Sequence, residues 1–466
     1  MQKPSVVFFN RVYPAQRGAT GRVLRDLARG FARDGWQVTI IASGSDDSVE
    51  KDGPIKIIRV KAPLKRKALF SYLNVWVRMW WAGLKLEHRP DLIVTMTDPP
   101  LLVVGGDLLA RAHRCRHMHW CQDLYPDVLP ALGYNLSDGV MNFLKTRSRR
   151  AMKRADRVVV IGRCMARHLV RTGLEARKIT FIPNWPDQEL VAPDPRTRRP
   201  LSGKAAFRAA NDGVAYEAAK PFDALFQDKE PKFRVLYSGT LGRAHPVASI
   251  LEAAQILAKD RPEIEFVFVG DGPNFERLAG ERTRRGLENI RLMSFQPAYR
   301  LRELMESGDV HLVSMREDAN GFIVPSKAYA AVAVARPAIL IGPAHSEIGH
   351  MLKDFQAGTV VPPGDGRKLA QAILKYRLNG DEWFAAHEGA RKASRVYVPH
   401  EAIAAWISRA RDVCSLPPRH KRMAQGSPVT DATAKNAATD AATDAAGAAA
   451  RASSPSLTPS LRRMVA

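Results

Sequence analysis

Pro325-Ser326-Lys327-Ala328-Tyr329, closing on Arg336-Pro337, lies between two strand-like runs, Val310–Met315 and Ala338–Ile341. A strand, a Pro/Ser-started helix and a second strand in this order make one unit of an α/β fold. A helix that starts directly after a strand presents free backbone N–H groups and a positive dipole end, a seat for phosphate. Lys327 adds a full charge beside it. An ordinary helix start with a solvated lysine has the same local sequence, so the surrounding pattern has to decide.

That pattern repeats outward. Arg234–Ser238, Glu265–Val269 and Ile290–Met293 read as strands, with helices over Val247–Lys259, Asn274–Arg285, Arg300–Ser307 and Ser326–Val334. Helices around Arg367–Leu378, Asp381–Ser394 and His400–Cys414 end the series. The first half alternates in the same way. Its strand-like runs are Val6–Asn10, Gln37–Ala42, Ile55–Val60, Leu92–Thr97, His117–Cys121, Arg157–Ile161 and Thr180–Pro183. Helical periods cover Gly21–Asp34, Tyr72–His88, Leu101–Ala112, Gly139–Ala155 and Arg163–Gly173. Such alternation implies βαβ units and parallel sheets covered on both faces. The fold class is α/β, two doubly wound Rossmann-like domains facing across a cleft, residues 1–186 and 233–415. The last helix is expected to cross back to the first domain. Residues 187–232 read as a linker or irregular insertion, and 416–466 lack the large apolar residues that offset ordering entropy, so disorder is expected there.

With 466 residues, 45% hydrophobic and 25% charged, the composition is that of a soluble globular chain of about two domains. No apolar run reaches the roughly 18–20 residues of a spanning helix, and no charged-then-apolar secretion signal opens the chain. The 4 cysteines form no CxxC pair or zinc spacing, which fits a reduced, cytoplasmic protein. The net charge of +24 calls for an anionic partner. Zinc-finger spacing, an RNP-like aromatic motif and a basic-region helix are all missing, so the dispersed charge favours a surface field over base readout and no nucleic acid is expected.

Two more strand-to-helix turns carry glycine. Ser238-Gly239-Thr240-Leu241-Gly242-Arg243-Ala244-His245 lets backbone approach a diphosphate, and Arg243 offers a fork to its oxygens. Gly270-Asp271-Gly272-Pro273 is a second turn of this kind, and equally good loop chemistry without a ligand. Phe295 follows a further strand and can pack beside a base. In the first domain, Gly18, Thr20 and Gly21 form a loop facing the cleft, with Thr20 the expected N-cap. Asp123 and Asp127, in Gln122-Asp123-Leu124-Tyr125-Pro126-Asp127, reach the cleft as candidate base or charge stabiliser. Each is also a candidate turn cap around Pro126, and their spacing does not distinguish the roles.

Together, Tyr237–His245, Val269–Pro273, Pro325–Pro337, Gln122–Asp127 and the N-terminal glycine loop resemble family 4 retaining glycosyltransferases, in particular the bacterial exopolysaccharide and O-antigen branch of colanic-acid type. The resemblance implies a GT-B fold and metal-independent transfer with retention, with no cofactor. It implies a nucleotide-diphosphate sugar held by the C-terminal domain, through Gly239, Thr240, Arg243, His245, Gly270, Asp271, Gly272, Phe295, Gly321, Ser326 and Lys327. The N-terminal domain then holds the acceptor, probed by Gly18, Thr20, Gly21 and Asp127, with Asp123 catalytic. The expected acceptor is linked to a polyprenyl diphosphate. Where many members carry a glutamate pair flanking the donor sugar, the second position is Ala330 and the first holds no glutamate. The usual Arg and Lys of the phosphate loop fall on Thr240 and His245, and a usual glycine on Ala335.

Lys61-Ala62-Pro63-Leu64-Lys65-Arg66-Lys67 leads into a helix with Trp76, Arg78, Trp80, Trp81 and Lys85. Basic residues before a Trp-rich helix suit an anionic membrane surface, and the same helix also reads as a core element with a charged outer side. Peripheral attachment to the inner face of the cell membrane follows from the first reading. The alternatives to transfer are a nucleotide-sugar 2-epimerase of the same architecture and a nucleic-acid-binding protein.

Overall fold

The computed structural model describes residues 3–14, 19–62, 69–191, 232–296 and 298–417. The first part runs β1 (Ser5–Phe9), α1 (Ala19–Arg33), β2 (Gln37–Gly44), β3 (Ser48–Asp52), β4 (Ile55–Lys61), α2 (Leu69–Leu84), β5 (Leu92–Thr95) and α3 (Leu102–His113). It continues through β6 (Arg116–Cys121), α4 (Asp138–Arg154), β7 (Arg157–Val160), α5 (Arg163–Arg171), β8 (Ile179–Phe181) and α6 (Gln188–Val191). The second part comprises β9 (Phe233–Ser238), α7 (Ala248–Asp260), β10 (Ile264–Val269), α8 (Pro273–Arg285), β11 (Ile290–Met293) and α9 (Leu301–Glu306). Then follow β12 (Val310–Ser314), α10 (Lys327–Ala333), β13 (Ala338–Ile341), α11 (Glu347–Phe355), β14 (Gly358–Val361), α12 (Gly366–Leu378), α13 (Gly380–Ser394) and α14 (Pro399–Val413).

The strands form an eight-stranded sheet, order β3-β4-β2-β1-β5-β6-β7-β8, and a six-stranded sheet, order β11-β10-β9-β12-β13-β14. All pairings are parallel except β3 with β4. Strands such as Ile-Glu-Phe-Val-Phe-Val (264–269) and Ala-Ile-Leu-Ile (338–341) are buried along their whole length because helices cover both faces. Strand order reverses between β1 and β5 in one sheet and between β9 and β12 in the other. At such a reversal the loops leaving the strand ends diverge, one toward each face, and open a crevice.

Four elements were not anticipated, one of them the short α6 inside the stretch read as a linker. β3, Ser-Val-Glu-Lys-Asp, is an exposed antiparallel edge with no apolar alternation to mark it. β14 begins on glycine, and α11 starts at Glu347 behind a Ser346 cap whose hydroxyl accepts from the Gly349 N–H at 3.1 Å. α14 packs on α1 of the first part: a Cβ added to Gly30 would lie 2.3 Å from Ile403, and Arg411 pairs with Asp34 at 2.6 Å. Beneath it Trp120 stacks on Trp185 and tilts against Trp406, with ring centroids 5.7 and 4.9 Å apart.

Ala335 stands in the left-handed region, φ 54°, just past α10. A Cβ there costs about 1 kcal/mol that glycine avoids. Ala335→Gly should therefore raise the melting temperature by a few degrees with turnover unchanged, checked by calorimetry beside an activity assay. A lower melting temperature would show that the methyl group packs usefully.

Candidate functional site

β9 and β12 are neighbours at the reversal, so the Gly239 loop and the Pro325–Lys327 segment leave adjacent strand ends. Lys327 is the first residue of α10, a seven-residue helix whose preceding Ser326 makes no side-chain cap bond. Its chain runs past Gly239, where an added Cβ would meet Lys327 Cε at 3.0 Å, and its Nζ lies 5.1 Å from the Tyr237 ring centroid. Burial pushes the Lys327 ammonium down to about 8. Gly239 itself has φ 122°. The two glycine turns interlock: Cβ atoms on Gly270 and Gly272 would fall 2.3 and 2.7 Å from the carbonyl oxygens of Gly239 and Leu241. The Thr240 hydroxyl donates to Asp271 Oδ1 at 3.0 Å, and Asn274 Nδ2 donates to the carbonyls of Gly242 and His245 at 3.0 and 2.8 Å. His245 Nδ1 meets the Ser314 carbonyl, and burial, reinforced by Lys327, pushes the imidazole down to about 3. A neutral ring whose Nδ1–H donates to that carbonyl leaves Nε2 as an acceptor. Phe295 is half-buried at the end of β11.

Arg243 is exposed, and its guanidinium lies over the ring of Tyr134 in the first domain, 5.3 Å from the centroid. It thus crosses the cleft mouth instead of joining Lys327. Ala131 beside it packs with Ala244, Met315 and Ala319 of the second domain.

On the opposite wall, Asp123 follows β6. Its N–H donates to Thr97 Oγ1 at 3.3 Å, and no described residue hydrogen-bonds to its carboxylate, so it caps no turn. Burial, with the nearby Asp98 second, pushes that carboxyl up to about 7. Asp98 is held by Arg11, Nε to Oδ1 at 2.8 Å. The Leu124 N–H donates to the Phe322 carbonyl at 2.8 Å, tying the Asp123 loop to the segment that continues into Lys327. Asp127 turns away from this wall. Arg149, His168 and Lys145 surround it at 3.3, 3.6 and 3.8 Å. Although burial raises its carboxyl, those three partners leave it below the usual range. It is an ion-pair hub. Thr20 lies inside the first turn of α1, which begins at Ala19, so it is not the cap that the sequence predicts. Gly21 is buried, its missing Cβ 3.0 Å from Val12, and Gly18 lies outside the described residues. Gly321, φ 84°, lies over α5, where an added Cβ would stand 3.6 Å from the Cys164 carbonyl oxygen.

Sequence reasoning missed the joint beside this cleft. Glu347, 1% exposed, accepts from the Arg163 N–H at 2.7 Å and pairs with its guanidinium at 3.1 Å. Tyr329 of α10 and Tyr397 pack against each other there, ring centroids 5.1 Å apart. The available signal was positional, since Arg163 and Glu347 both follow strand ends that face each other.

Of the basic stretch before α2, residues 63–68 lie outside the described residues, as do 192–231 of the linker and everything after 417, the tail included. On α2, Val75 and Met79 are buried and Trp76 and Trp80 pack on the same core, which corrects the reading of those two tryptophans as membrane-facing. Leu73, Val77 and Trp81 are 57%, 48% and 54% exposed on the outer face. No described helix is long and apolar enough to cross a membrane.

Residues 18–185 match the glycosyl transferase 4-like domain and residues 232–378 the domain of glycosyl transferases group 1. The putative colanic acid biosynthesis glycosyl transferase WcaI of Escherichia coli is 27% identical over 335 residues, 70% of this chain and 75% of WcaI. Among solved structures, sucrose-phosphate synthase from Thermosynechococcus elongatus superimposes with a TM-score of 0.68 at 16% identity, covering 88% of this chain and 98% of that one. Anabaena HepE in complex with UDP gives 0.60 at 15% identity, covering 88% and 100%. The architecture is GT-B. With a 4-like domain followed by a group 1 domain across more than half its length, the chain belongs to the family 4 type of glycosyltransferases.

Proposed function

We propose that the protein is a retaining hexosyl- or N-acetylhexosaminyltransferase. It moves sugar from a nucleotide-diphosphate sugar to a glycan on a polyprenyl diphosphate, in building a surface polysaccharide. The observation that carries this reading is Lys327, packed on Gly239 where two strand-end loops meet at the reversal of the sheet. The donor diphosphate would lie across those loops, its charge met by Lys327, by backbone N–H groups and by Arg243 once it leaves Tyr134. Asp123 would hold the hydrogen of the acceptor hydroxyl from the facing wall. The colanic acid assignment of WcaI and the UDP in HepE support the pathway class and the donor class. Transfer is favoured over epimerisation and over nucleic-acid binding because the walls supply separate groups for donor and acceptor.

A thermal-shift panel of nucleoside diphosphates and sugar nucleotides tests the donor, since a selective ligand stabilises by mass action. One diphosphate series should raise the melting temperature, and a flat panel would overturn the reading.

Leu73, Val77 and Trp81 recur on one helical face with Lys85 5.1 Å over the Trp81 ring, a surface suited to an anionic leaflet. Binding to anionic vesicles should fall with salt, and Trp81→Ser should weaken it several-fold. Equal, salt-indifferent binding to neutral vesicles would count against this.

A further inference from the structure

A cavity of about 860 Å³ opens between α5 and the segment 317–322, a size typical of small-ligand sites. We propose that it is a second anion site, beside the Gly239 and Gly270 turns and Lys327 but not formed by them, that takes the phosphate-bearing part of the acceptor. This rests on the transferase reading above. Of the residues expected to hold the donor, Gly321 lines the cavity while Gly239, Gly270 and Lys327 do not, so the site adjoins the donor loops and its ligand binds beside a nucleotide seated on those three.

Charge identifies the ligand class. Arg167 and Arg171 stand one turn apart on α5, both exposed, and neither pairs with any described residue. Two like charges at this spacing repel, and an anion between them removes that cost. Of the two carboxylates across the cavity, Asp318 is paired with Arg316 at 2.6 Å, and Glu317 has His345 3.9 Å away. His168, between the two arginines in sequence, faces Asp127 with its buried Nε2, 3.6 Å away, and so belongs to that ion-pair hub. Asn320 Oδ1 is also buried without a partner, and a half-turn of its amide would present Nδ2 instead. Two guanidinium forks and an amide match phosphate oxygens better than neutral sugar hydroxyls.

Position identifies the role. The Phe322 ring stands edge-on to His168 at 4.9 Å, while the Phe322 carbonyl holds Leu124, next to Asp123. An acceptor whose phosphate sits against α5 therefore extends along Phe322 toward Asp123.

The test is calorimetric titration of the full chain, saturated with UDP, with inorganic pyrophosphate, and then with farnesyl diphosphate. Pyrophosphate should still bind one site. The double variant Arg167→Ala/Arg171→Ala should weaken that binding about tenfold or more, with UDP affinity and melting temperature unchanged. Farnesyl diphosphate should displace the pyrophosphate, which marks a lipid-linked diphosphate as the source. Pyrophosphate that binds only when UDP is absent, or binds the double variant equally well, overturns the site. Pyrophosphate that binds but is not displaced overturns its assignment to the acceptor. A chain that binds another nucleoside diphosphate in place of UDP is saturated with that one, and a chain that binds none strikes at the donor reading, a result distinct from either.

Discussion

Lys327→Ala should lower sugar transfer by about a hundredfold or more, the effect of losing one charge donor worth about 2–4 kcal/mol at the transition state. As the bond to the donor sugar breaks, negative charge grows on the leaving diphosphate. In the function proposed above Lys327 meets it, because β9 and β12 are neighbours and Gly239 leaves room for its side chain. Burial holds the free lysine near 8, so above that pH the empty site carries a neutral amine and must take up a proton to bind a diphosphate. UDP affinity should accordingly be flat below about pH 8 and fall tenfold per unit above it. Lys327→Arg, which stays charged, should remove the slope. Wild-type turnover should survive excess EDTA. Loss with EDTA and rescue by magnesium or manganese would sink the metal-free mechanism, and near-normal turnover of Lys327→Ala would sink the residue assignment. Arg243→Ala should also slow transfer, but less if the Tyr134 stack persists in the bound state.

The doubly wound architecture was legible because buried parallel strands are continuous apolar runs, as in Leu92–Thr95 and Ala338–Ile341, and their glycine and proline turns are local. β3 escaped because an exposed edge needs no apolar face. Long-range partners were harder. Gly239 and Lys327 could be suspected from their turns, but only strand order shows that their loops touch. Asp123 and Asp127 read alike in sequence. The three-dimensional difference is that Arg149, His168 and Lys145 gather on one and none bonds the other. Trp76, Trp80 and Trp81 likewise read as one cluster, and the helical period turns the first two inward and leaves Trp81 outside. Arg163 with Glu347, remote in sequence, shared only a place just past a strand end, which does not by itself pair them.

Asp123→Asn should slow transfer by roughly a hundred- to ten-thousandfold, the range for loss of a positioned acid–base group. The wild-type pH profile gives the first check. Burial and Asp98 raise the free carboxyl to about 7, and only its ionised form can take the acceptor hydroxyl's hydrogen. kcat/KM should therefore fall tenfold per unit as pH drops below about 7, and Asp98→Asn, which removes the like charge, should move that limb to lower pH. Stability gives the second. A carboxyl whose folded pKa lies above its unfolded value destabilises the fold progressively as pH rises from about 4 to 7, a penalty then complete. Asn cannot ionise, so at pH 8 the variant should melt higher than wild type while UDP binds as before. A carboxylate that served only to cap its turn would give the reverse, a lower melting temperature with turnover nearly intact. Inactivity combined with greater stability is the signature of a charge held against its surroundings for the reaction.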